Sequence, residues 1–344
     1  MDISSLVKTA LDAGASDLHL SAELPPILRI DGDIQTTSLP ILAEDQIKHM
    51  LFAIMSDKQI GLFEKNSELD FAWELSGRAR FRVNIFRQHR GITAVFRAIP
   101  LAIPTLSELG LGGIYQKLAA KPRGLILITG ASGSGKSTTL AAMLRHINDS
   151  SRKHIITLED PIEFVHSANK SLINQRQIGR DAISFDGALR SALREDPDVI
   201  MVGEMRDLET VRMALTAAET GHLVLATLHT AGASASINRI IQMFPAAERE
   251  LMRTVLADSL QAVVSQTLLR RKSGGRVVAS EIMIATSAIK NLIRNDRVAE
   301  VYSALQTGAA SGMMTMDQSL ARLIGQGVVG LERAESPAKS RRVS

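Results

Sequence analysis

Short apolar runs alternate with amphipathic stretches in the second half of the chain. Four of the runs are rich in aliphatic residues and have the length of buried strands. They cover residues 125–129, 155–158, 199–202 and 223–227. The stretches between them carry apolar residues at helical spacing. Alternating strands and helices predict a mostly parallel sheet with crossover helices, so we expect residues 114–332 to form an α/β domain.

The C-terminal part of this domain has a different pattern. Gly274 and Gly275 separate the runs 266–270 and 277–281, which predicts an antiparallel hairpin at the end of the sheet. Residues 286–325 have helical patterns. Their apolar positions include Met313, Met314, Met316, Leu320, Leu323 and Ile324. Such residues form buried packing more often than a surface that couples to a partner, and both interpretations stay open at this point.

The first part of the chain has shorter patterns. Residues 1–98 alternate helical and strand-like stretches, of which 17–20 and 27–30 are the clearest strands, and they predict a smaller α+β domain with hairpins. Prolines and glycines exclude a long regular element from residues 99–113, where we expect a linker. Residues 333–344 are polar and are expected to form a loose tail.

The composition agrees with two well-buried domains. The chain has 344 residues, of which 45% are hydrophobic and 22% charged, and its net charge is +4. The absence of cysteine excludes a disulfide framework and a cysteine-ligated zinc or iron–sulfur site. No apolar stretch reaches about 18 residues, and the first residues lack a basic segment followed by an apolar core. These features predict a cytoplasmic protein that is not inserted in a membrane.

A glycine-rich motif, GASGSGKST, occupies residues 130–138 directly after the first apolar run. In such a loop the backbone N–H groups turn inward around phosphates, Lys136 reaches their oxygens, and the Ser137 hydroxyl binds Mg²⁺. The motif therefore predicts a site for a nucleoside triphosphate with Mg²⁺. The residues expected to hold the nucleotide are Gly130, Ser132, Gly133, Ser134, Gly135, Lys136, Ser137 and Thr138.

Acidic residues follow two other apolar runs. Glu204 comes after residues 198–203. Because ligands bind at the carboxyl ends of strands in open α/β sheets, we expect its carboxylate to face Mg²⁺, directly or through water. The loop after the run 155–158 carries Glu159, Asp160 and Glu163. Either one of these three orients the attacking water, or all three are solvated loop acids.

Two histidines flank the run 223–227. His222 precedes it and His229 follows it. An imidazole can hydrogen-bond a γ-phosphate and respond to its loss, so both histidines are candidates for a phosphate sensor, and a packed or solvated role is the alternative. The pair is a weak candidate for a metal site because no third ligand has the required spacing.

The segment between Leu75 and Ser107 is cationic. It has no Asp or Glu but contains Arg78, Arg80, Arg82, Arg87, Arg90 and Arg97. On a strand the first three of these project from one face while Phe81 and Val83 face the core. The resulting surface is a solvated face, a nucleic-acid footprint, or a set of arginine fingers that reach the triphosphate of a neighbouring subunit. Only 3% of residues are aromatic, which disfavours nucleic acid.

The combination of these motifs resembles the type IV pilus retraction ATPases, the PilT family among the secretion ATPases. The similar segments are ASDLHLS at 15–21, ARFRVN at 79–84, GASGSGKSTTLAAM, TLEDPIEF, ALRSALREDPDVIMVGEMRD, TAAETGHLVLATLHT and SAIKNLIR. The resemblance extends to about residue 330. It implies a PAS-like N-terminal domain, a RecA-like ATPase domain, and a homohexameric ring that uses ATP and Mg²⁺ to depolymerise pili.

The resemblance also implies roles for individual residues and for partners. The catalytic set is Glu163, Glu204, His222, His229, Arg82 and Arg97. In this set Glu163 is the base for water, Glu204 faces Mg²⁺, and the two arginines complete a neighbouring subunit's site. The implied partners are an inner-membrane pilus platform protein and, indirectly, pilin, with no nucleic acid. The implied location is the cytoplasmic side of the inner membrane at the pilus base.

Two features bear on which relative the chain matches. Residues 288–295, AIKNLIRN, differ from the AIRNLIRE signature of retraction at Lys290 and at Asn295, where a carboxylate is lost. Pilus assembly and type II secretion ATPases carry a four-cysteine zinc insertion that this chain lacks. The accessory retraction homologue PilU is a second alternative. A third is a nucleotide-gated adaptor without turnover, which has no need of a water-activating acid such as Glu163.

Overall fold

Two compact units make up the chain. A computed structural model describes residues 2–30, 32–75, 77–99 and 101–330. One unit comprises Met1–Ala102 and Pro161–Val165, and the other comprises Ile103–Asp160 and His166–Ser344. The predicted tail at 333–344 lies outside the described residues, and the domain limits expected from the sequence stay a prediction.

The first unit is an antiparallel sheet with helices. Its elements are α1 (Ile3–Asp12), β1 (Asp17–Ser21), β2 (Ile27–Ile30), β3 (Asp33–Thr36), α2 (Glu44–Phe52), α3 (Asp57–Asn66), β4 (Glu68–Leu75), β5 (Ala79–Gln88) and β6 (Gly91–Ile99). Its strands have the order β3-β2-β1-β6-β5-β4. Phe81 and Val83 of β5 are buried, whereas Arg80 and Arg82 are half-buried on the other face, as the alternation predicted.

The second unit is a mostly parallel sheet. Its strands are β7 (Gly124–Thr129), β8 (His154–Glu159), β9 (Leu172–Gln177), β10 (Val199–Val202), β11 (Leu223–Leu228), β12 (Leu260–Arg270) and β13 (Arg276–Ile284). Their order is β13-β12-β7-β11-β10-β8-β9, and β13 runs antiparallel to β12. The four predicted strands and the C-terminal hairpin are confirmed. The sequence pattern does not predict β9, four of whose six residues are polar and most of which are half-exposed.

Helices cover both faces of this sheet. They are α4 (Gly113–Ala119), α5 (Lys136–Ser150), α6 (Phe185–Ala192), α7 (Leu208–Glu219), α8 (Ala233–Met243), α9 (Arg249–Ser259), α10 (Ser287–Arg294), α11 (Val301–Thr307) and α12 (Met316–Gly325). Leu125 and Leu127 of β7 pack in one apolar cluster with α6 to α10, whereas Ile126 and Ile128 pack in another with α4 and α5. Burial on both faces explains the uninterrupted apolar run of β7.

The C-terminal helices pack against the sheet. Met316, Leu320 and Leu323 of α12 are buried beside Leu269 of β12 and Val277 of β13. The packing interpretation of these three side chains is therefore confirmed. No helix among the described residues is both long enough and apolar enough to span a membrane.

Candidate functional site

The phosphate loop joins β7 to α5 in the second unit. Gly130, Gly133 and Gly135 have φ values of 138°, 75° and 92°, which residues with a Cβ rarely adopt. A Cβ on Gly130 would lie 2.4 Å from the carbonyl oxygen of Gln266. Helix α5 begins at Lys136 and has no side-chain cap. Its first backbone N–H groups are therefore available to phosphate oxygens.

Buried polar atoms line this loop. Lys136 is 8% exposed, and its Nζ donates to the carbonyl oxygens of Gly130 and Ala131 at 2.8 and 2.9 Å. The Ser134 hydroxyl is buried without a hydrogen-bond partner among the described residues. A buried polar group without a partner is costly, and a ligand in the loop would satisfy it. The other loop residues in the predicted set are exposed or half-buried, namely Ser132, Gly133, Gly135, Ser137 and Thr138.

The carboxyl ends of several parallel strands meet at this edge of the sheet. Leu228 at the end of β11 pairs with Thr129 at the end of β7, and Val202 at the end of β10 pairs with Ala226. The residues that directly follow β10 and β11 therefore lie at the same edge as the phosphate loop. In this way the structure brings Glu204 and His229 together with the loop.

Glu204 lies between two basic side chains. Its Oε2 is 2.8 Å from Nη2 of Arg206, and its Oε1 is 3.3 Å from Nε2 of His229. Partial burial works to raise the pKa of Glu204. The hydrogen bond and charge of Arg206, together with His229, outweigh burial, so the pKa lies below its ordinary value. Glu204 is therefore ionised at neutral pH, as a carboxylate that binds Mg²⁺ must be.

His222 lies at the opposite edge of the sheet. It precedes Leu223, which pairs with Gly124 at the start of β7, and its Nδ1 is 3.0 Å from the carbonyl oxygen of Ala217. The six residues of β11 separate His222 from His229, and a strand of that length spans about 20 Å. The structure therefore does not bring His222 to the phosphate loop of its own chain. Within one chain only His229 of the predicted pair lies at the edge that carries the phosphate loop, and the sensor role of both histidines stays a prediction.

Glu159 and Glu163 follow β8 and have different environments. Glu159 is 9% exposed and accepts hydrogen bonds from Oγ1 of Thr157 at 2.6 Å and from Nε2 of Gln175 at 3.0 Å. Glu163 groups with the first unit, where its Oε1 lies 3.5 Å from Nη1 of Arg82. Glu159 is therefore not a solvated loop acid, whereas Glu163 is 25% exposed and ion-paired, and the choice of the acid that orients the attacking water stays a prediction.

Gln175 also fixes the backbone after this acidic segment. Its Oε1 accepts a hydrogen bond from the backbone N–H of His166 at 2.8 Å.

Burial lowers the pKa of the His166 side chain to about 4. Since the ordinary pKa of histidine is 6.5, the imidazole is protonated in the unfolded chain at a higher pH than in the folded one. The neutral imidazole therefore stabilises the folded state above pH 6.5, and this contribution is lost as the pH falls toward 4.

This burial predicts a pH dependence of stability. The free energy of unfolding should decrease by up to about 3 kcal/mol between pH 6.5 and 4 because of His166 alone. Urea unfolding at a series of pH values measures this effect. His166→Gln should flatten the curve in that window, whereas the exposed His89→Gln should leave it unchanged. An equal slope in wild type and His166→Gln would contradict the assignment.

Three arginines of the cationic segment pair with acids on neighbouring strands. The pairs are Arg80–Glu74, Arg82–Asp70 and Arg97–Asp17, at 3.8, 2.5 and 2.9 Å. Strands β4 and β1 supply these acids from outside the segment 75–107. The one-sided cationic surface expected from that segment is therefore corrected in part, because cross-strand carboxylates compensate these three arginines, whereas Arg78, Arg87 and Arg90 are exposed.

The stretch that resembles the retraction signature forms α10, which packs near α9. Arg294 pairs with the carboxylate of Asp258 on α9. The side chain of Asn295 donates to a carbonyl oxygen of its own helix at 2.9 Å. The next residue, Asp296, pairs with Arg253 of α9 at 2.6 Å. A carboxylate one position beyond residue 295 thus connects the end of α10 to α9.

One known family covers most of the chain. Residues 1–311 match the family described as type II/IV secretion system protein. The chain belongs to this family. A Pseudomonas aeruginosa protein described as type IV pilus retractation ATPase PilT is 55% identical over 339 residues, 98% of each chain. A Neisseria gonorrhoeae protein described as a twitching motility protein is 50% identical over 98% of this chain and 91% of its own.

Solved structures have the same fold. A crystal structure described as the pilus retraction motor PilT with bound ADP has a TM-score of 0.87 and 47% identity, and the match covers 97% of this chain and 96% of that one. The Legionella pneumophila ATPase DotB has a TM-score of 0.84 and 26% identity, over 97% and 94%. The predicted fold class is confirmed: a RecA-like P-loop ATPase domain follows a smaller α+β, PAS-like domain.

Three polar residues near the site are absent from the set predicted from sequence: Asp70, Arg206 and Gln266. Arg206 contacts Glu204, two residues earlier in the chain, and its proximity in sequence was a usable signal. Asp70 contacts Arg82 across a strand pair. Gln266 donates at 3.0 Å to a hydroxyl near the start of α5, and no motif marks it.

Proposed function

We propose that this protein is an ATP-hydrolysing motor that powers retraction of type IV pili. The main support is the phosphate loop with the buried Lys136 and an ionised Glu204 at the same edge of the sheet, in a chain that is 55% identical to a retraction ATPase over nearly its full length. A lysine after β7 and a carboxylate after β10 lie at the same edge of the parallel sheet, with β11 between the two strands, and this arrangement suits transfer of a phosphoryl group to water.

The second unit would bind the nucleotide. Lys136 neutralises charge on the phosphates, and the backbone N–H groups at the start of α5 hold their oxygens. The hydroxyl of Ser137 and the carboxylate of Glu204 are oxygen ligands of the kind that Mg²⁺ accepts beside phosphates. When bound, Mg²⁺ supplies further neutralisation of phosphate charge. His229 contacts Glu204 and is the candidate sensor for loss of the γ-phosphate.

The first unit would supply the remaining chemistry. Glu163 takes the proton of the attacking water, and Arg82 stabilises negative charge on the transferred phosphoryl group. Arg97 assists Arg82 in the same proposal. In the structure its Nε donates a hydrogen bond to the buried Asp17 at 2.9 Å. ATP binding closes one subunit against the next, and hydrolysis releases that closure.

The proposed assembly is a homohexameric ring at the cytoplasmic face of the inner membrane. Sequential closure around such a ring converts ATP turnover into movement of a membrane platform protein, and through it of pilin. The domain limits within each subunit are proposed as 1–98 and 114–332, with a linker at 99–113. The two ion pairs between α9 and the end of α10, Arg294–Asp258 and Asp296–Arg253, are a candidate element for this coupling.

The test combines enzymology with retraction in cells. ATP hydrolysis should rise as native mass measurements show hexamers, and Glu204→Gln should lower it about a hundredfold. Deletion of the gene should stop pilus retraction and twitching, and Glu204→Gln should not restore either. The matched control is Glu209→Gln, an exposed carboxylate on α7, which should restore both.

Two other results would redirect the proposal. Cells that retract normally without the gene, together with an active enzyme in vitro, would point to an accessory motor. ATP binding without turnover in every assembly state would point to a nucleotide-gated adaptor.

A further inference from the structure

Arg82 lies between two carboxylates within the first unit. Its Nε is 3.2 and 3.0 Å from the two carboxylate oxygens of Asp70, and its Nη2 is 2.5 Å from Oδ2 of Asp70. Its Nη1 is 3.5 Å from Oε1 of Glu163. Because a guanidinium group is planar, two contacts along one edge fix the direction of the remaining nitrogen. Asp70 therefore determines where Nη1 of Arg82 points.

The sheet places Asp70 and Arg82 on one face. Arg82 of β5 pairs with Ala72 of β4, so Asp70, two residues before Ala72, is the diagonal neighbour on the same side. Glu163 comes from Pro161–Val165, a short segment that groups with this unit. The arginine is thus carried by a regular strand, whereas Glu163 is carried by a loop. A rigid partner such as Asp70 can align the arginine with the glutamate.

The ion pairs of Arg82 with Asp70 and Glu163 contribute little to the stability of the fold. The side chains of Arg82, Asp70 and Glu163 are 34%, 31% and 25% exposed. Ion pairs at such partly exposed positions contribute little to folding. A bidentate contact between an arginine and a carboxylate, by contrast, restricts geometry strongly. The arrangement therefore fits a role in orientation better than a role in stability.

We propose that Asp70 is a positioning residue that aligns Arg82 with Glu163. The inference rests on the proposed function, in which Glu163 activates water and Arg82 stabilises the transferred phosphoryl group. Without Asp70 the long side chain of Arg82 occupies several rotamers, and fewer molecules hold Nη1 beside Glu163. The loss falls on turnover rather than on nucleotide affinity, because the phosphate loop of the second unit supplies the binding contacts.

Asp70→Asn tests this inference against a matched control on the same two strands. The control is Glu74→Gln, which removes the same charge from β4 and breaks the pair with Arg80. We expect kcat of Asp70→Asn to fall about tenfold with KM changed less than about twofold. Glu74→Gln should keep kcat within about twofold of wild type. Asp70→Glu keeps the charge and should recover part of the loss.

A double-mutant cycle shows whether Asp70 acts through Arg82. In the Arg82→Ala background, Asp70→Asn should lower kcat no further, whereas independent effects would multiply. Thermal unfolding of each variant shows whether a lower kcat comes from a loss of folded protein. Multiplying effects, or equal kcat for Asp70→Asn and Glu74→Gln, would overturn the inference and leave the proposed function intact if the wild type hydrolyses ATP. A wild type inactive in every assembly state overturns the proposed function, and this inference with it.

Discussion

Lys136→Ala should lower the rate of ATP hydrolysis at least about a thousandfold and should also weaken ATP binding. Lys136 is 8% exposed, and its ammonium group is held by the carbonyl oxygens of Gly130 and Ala131 within the loop. A positive charge so placed in a weakly polar surrounding interacts more strongly with phosphates than the same charge in water. Alanine removes that charge and leaves the rest of α5 unchanged.

The measurement is steady-state phosphate release together with titration of a fluorescent ATP analogue. Lys117→Ala is the matched control because Lys117 is exposed on α4 of the same unit. It should keep both the rate and the affinity within about twofold, as surface substitutions usually do. Hydrolysis by Lys136→Ala within tenfold of wild type would show that the phosphate loop is not the site of turnover.

The loop and the central strands could be predicted because their signals are local. The strands β7, β8, β10 and β11 are buried on both faces, so each reads as an apolar run. The phosphate loop is a contiguous motif whose glycines have the backbone angles that the motif requires. The edge strand β9 has the sequence LINQRQ, and at an edge the polar pattern resembles that of a loop.

The acids that meet the arginines depend on strand pairing and were not predicted. Asp70 and Glu74 lie on one face of β4 with Ala72 between them, and Arg80 and Arg82 lie at alternate positions of β5. Acids on one face of a strand and arginines on the same face of the next strand are a readable hairpin signal. The charge of the segment 75–107 is uncompensated only within that segment, because the acids that pair with its arginines lie on β4 and β1.

The two histidines also show that distance along the sequence does not by itself give distance in the fold. His222 and His229 are close in sequence, yet an extended strand carries them to opposite edges of the sheet. A count of the strand residues between them, six at about 3.3 Å each, was sufficient to predict this separation. Residues a few positions apart are close in space across a turn or along one helix face, but an extended strand separates the residues at its two ends.

Mixing variant subunits should show that Arg82 and Glu163 of the same subunit act together on one nucleotide. In this structure both residues lie in the unit formed by Met1–Ala102 and Pro161–Val165, 3.5 Å apart. Each subunit therefore contributes the two side chains together, whichever nucleotide they serve. A ring that mixes Arg82→Ala with Glu163→Gln chains has no subunit with both groups intact. We expect the mixture to stay as inactive as either variant alone.

Mixing Arg82→Ala with Lys136→Ala gives the opposite expectation if sites are shared between subunits. The Lys136→Ala chain then supplies an intact Arg82 and Glu163, and the Arg82→Ala chain supplies an intact phosphate loop. In a random mixture about one site in four combines the intact halves, and activity should return to that extent or less. Phosphate release measured against mixing ratio, with native mass to verify mixed hexamers, records both experiments.

The two mixtures together distinguish three arrangements. Rescue with Lys136→Ala but not with Glu163→Gln means that one subunit supplies Arg82 and Glu163 to the nucleotide of its neighbour. Rescue with neither means that each subunit completes its own site, so the arginine is not a finger in trans. Rescue of Arg82→Ala by Glu163→Gln means that Arg82 and Glu163 serve different sites, and their contact within one subunit is then released during turnover.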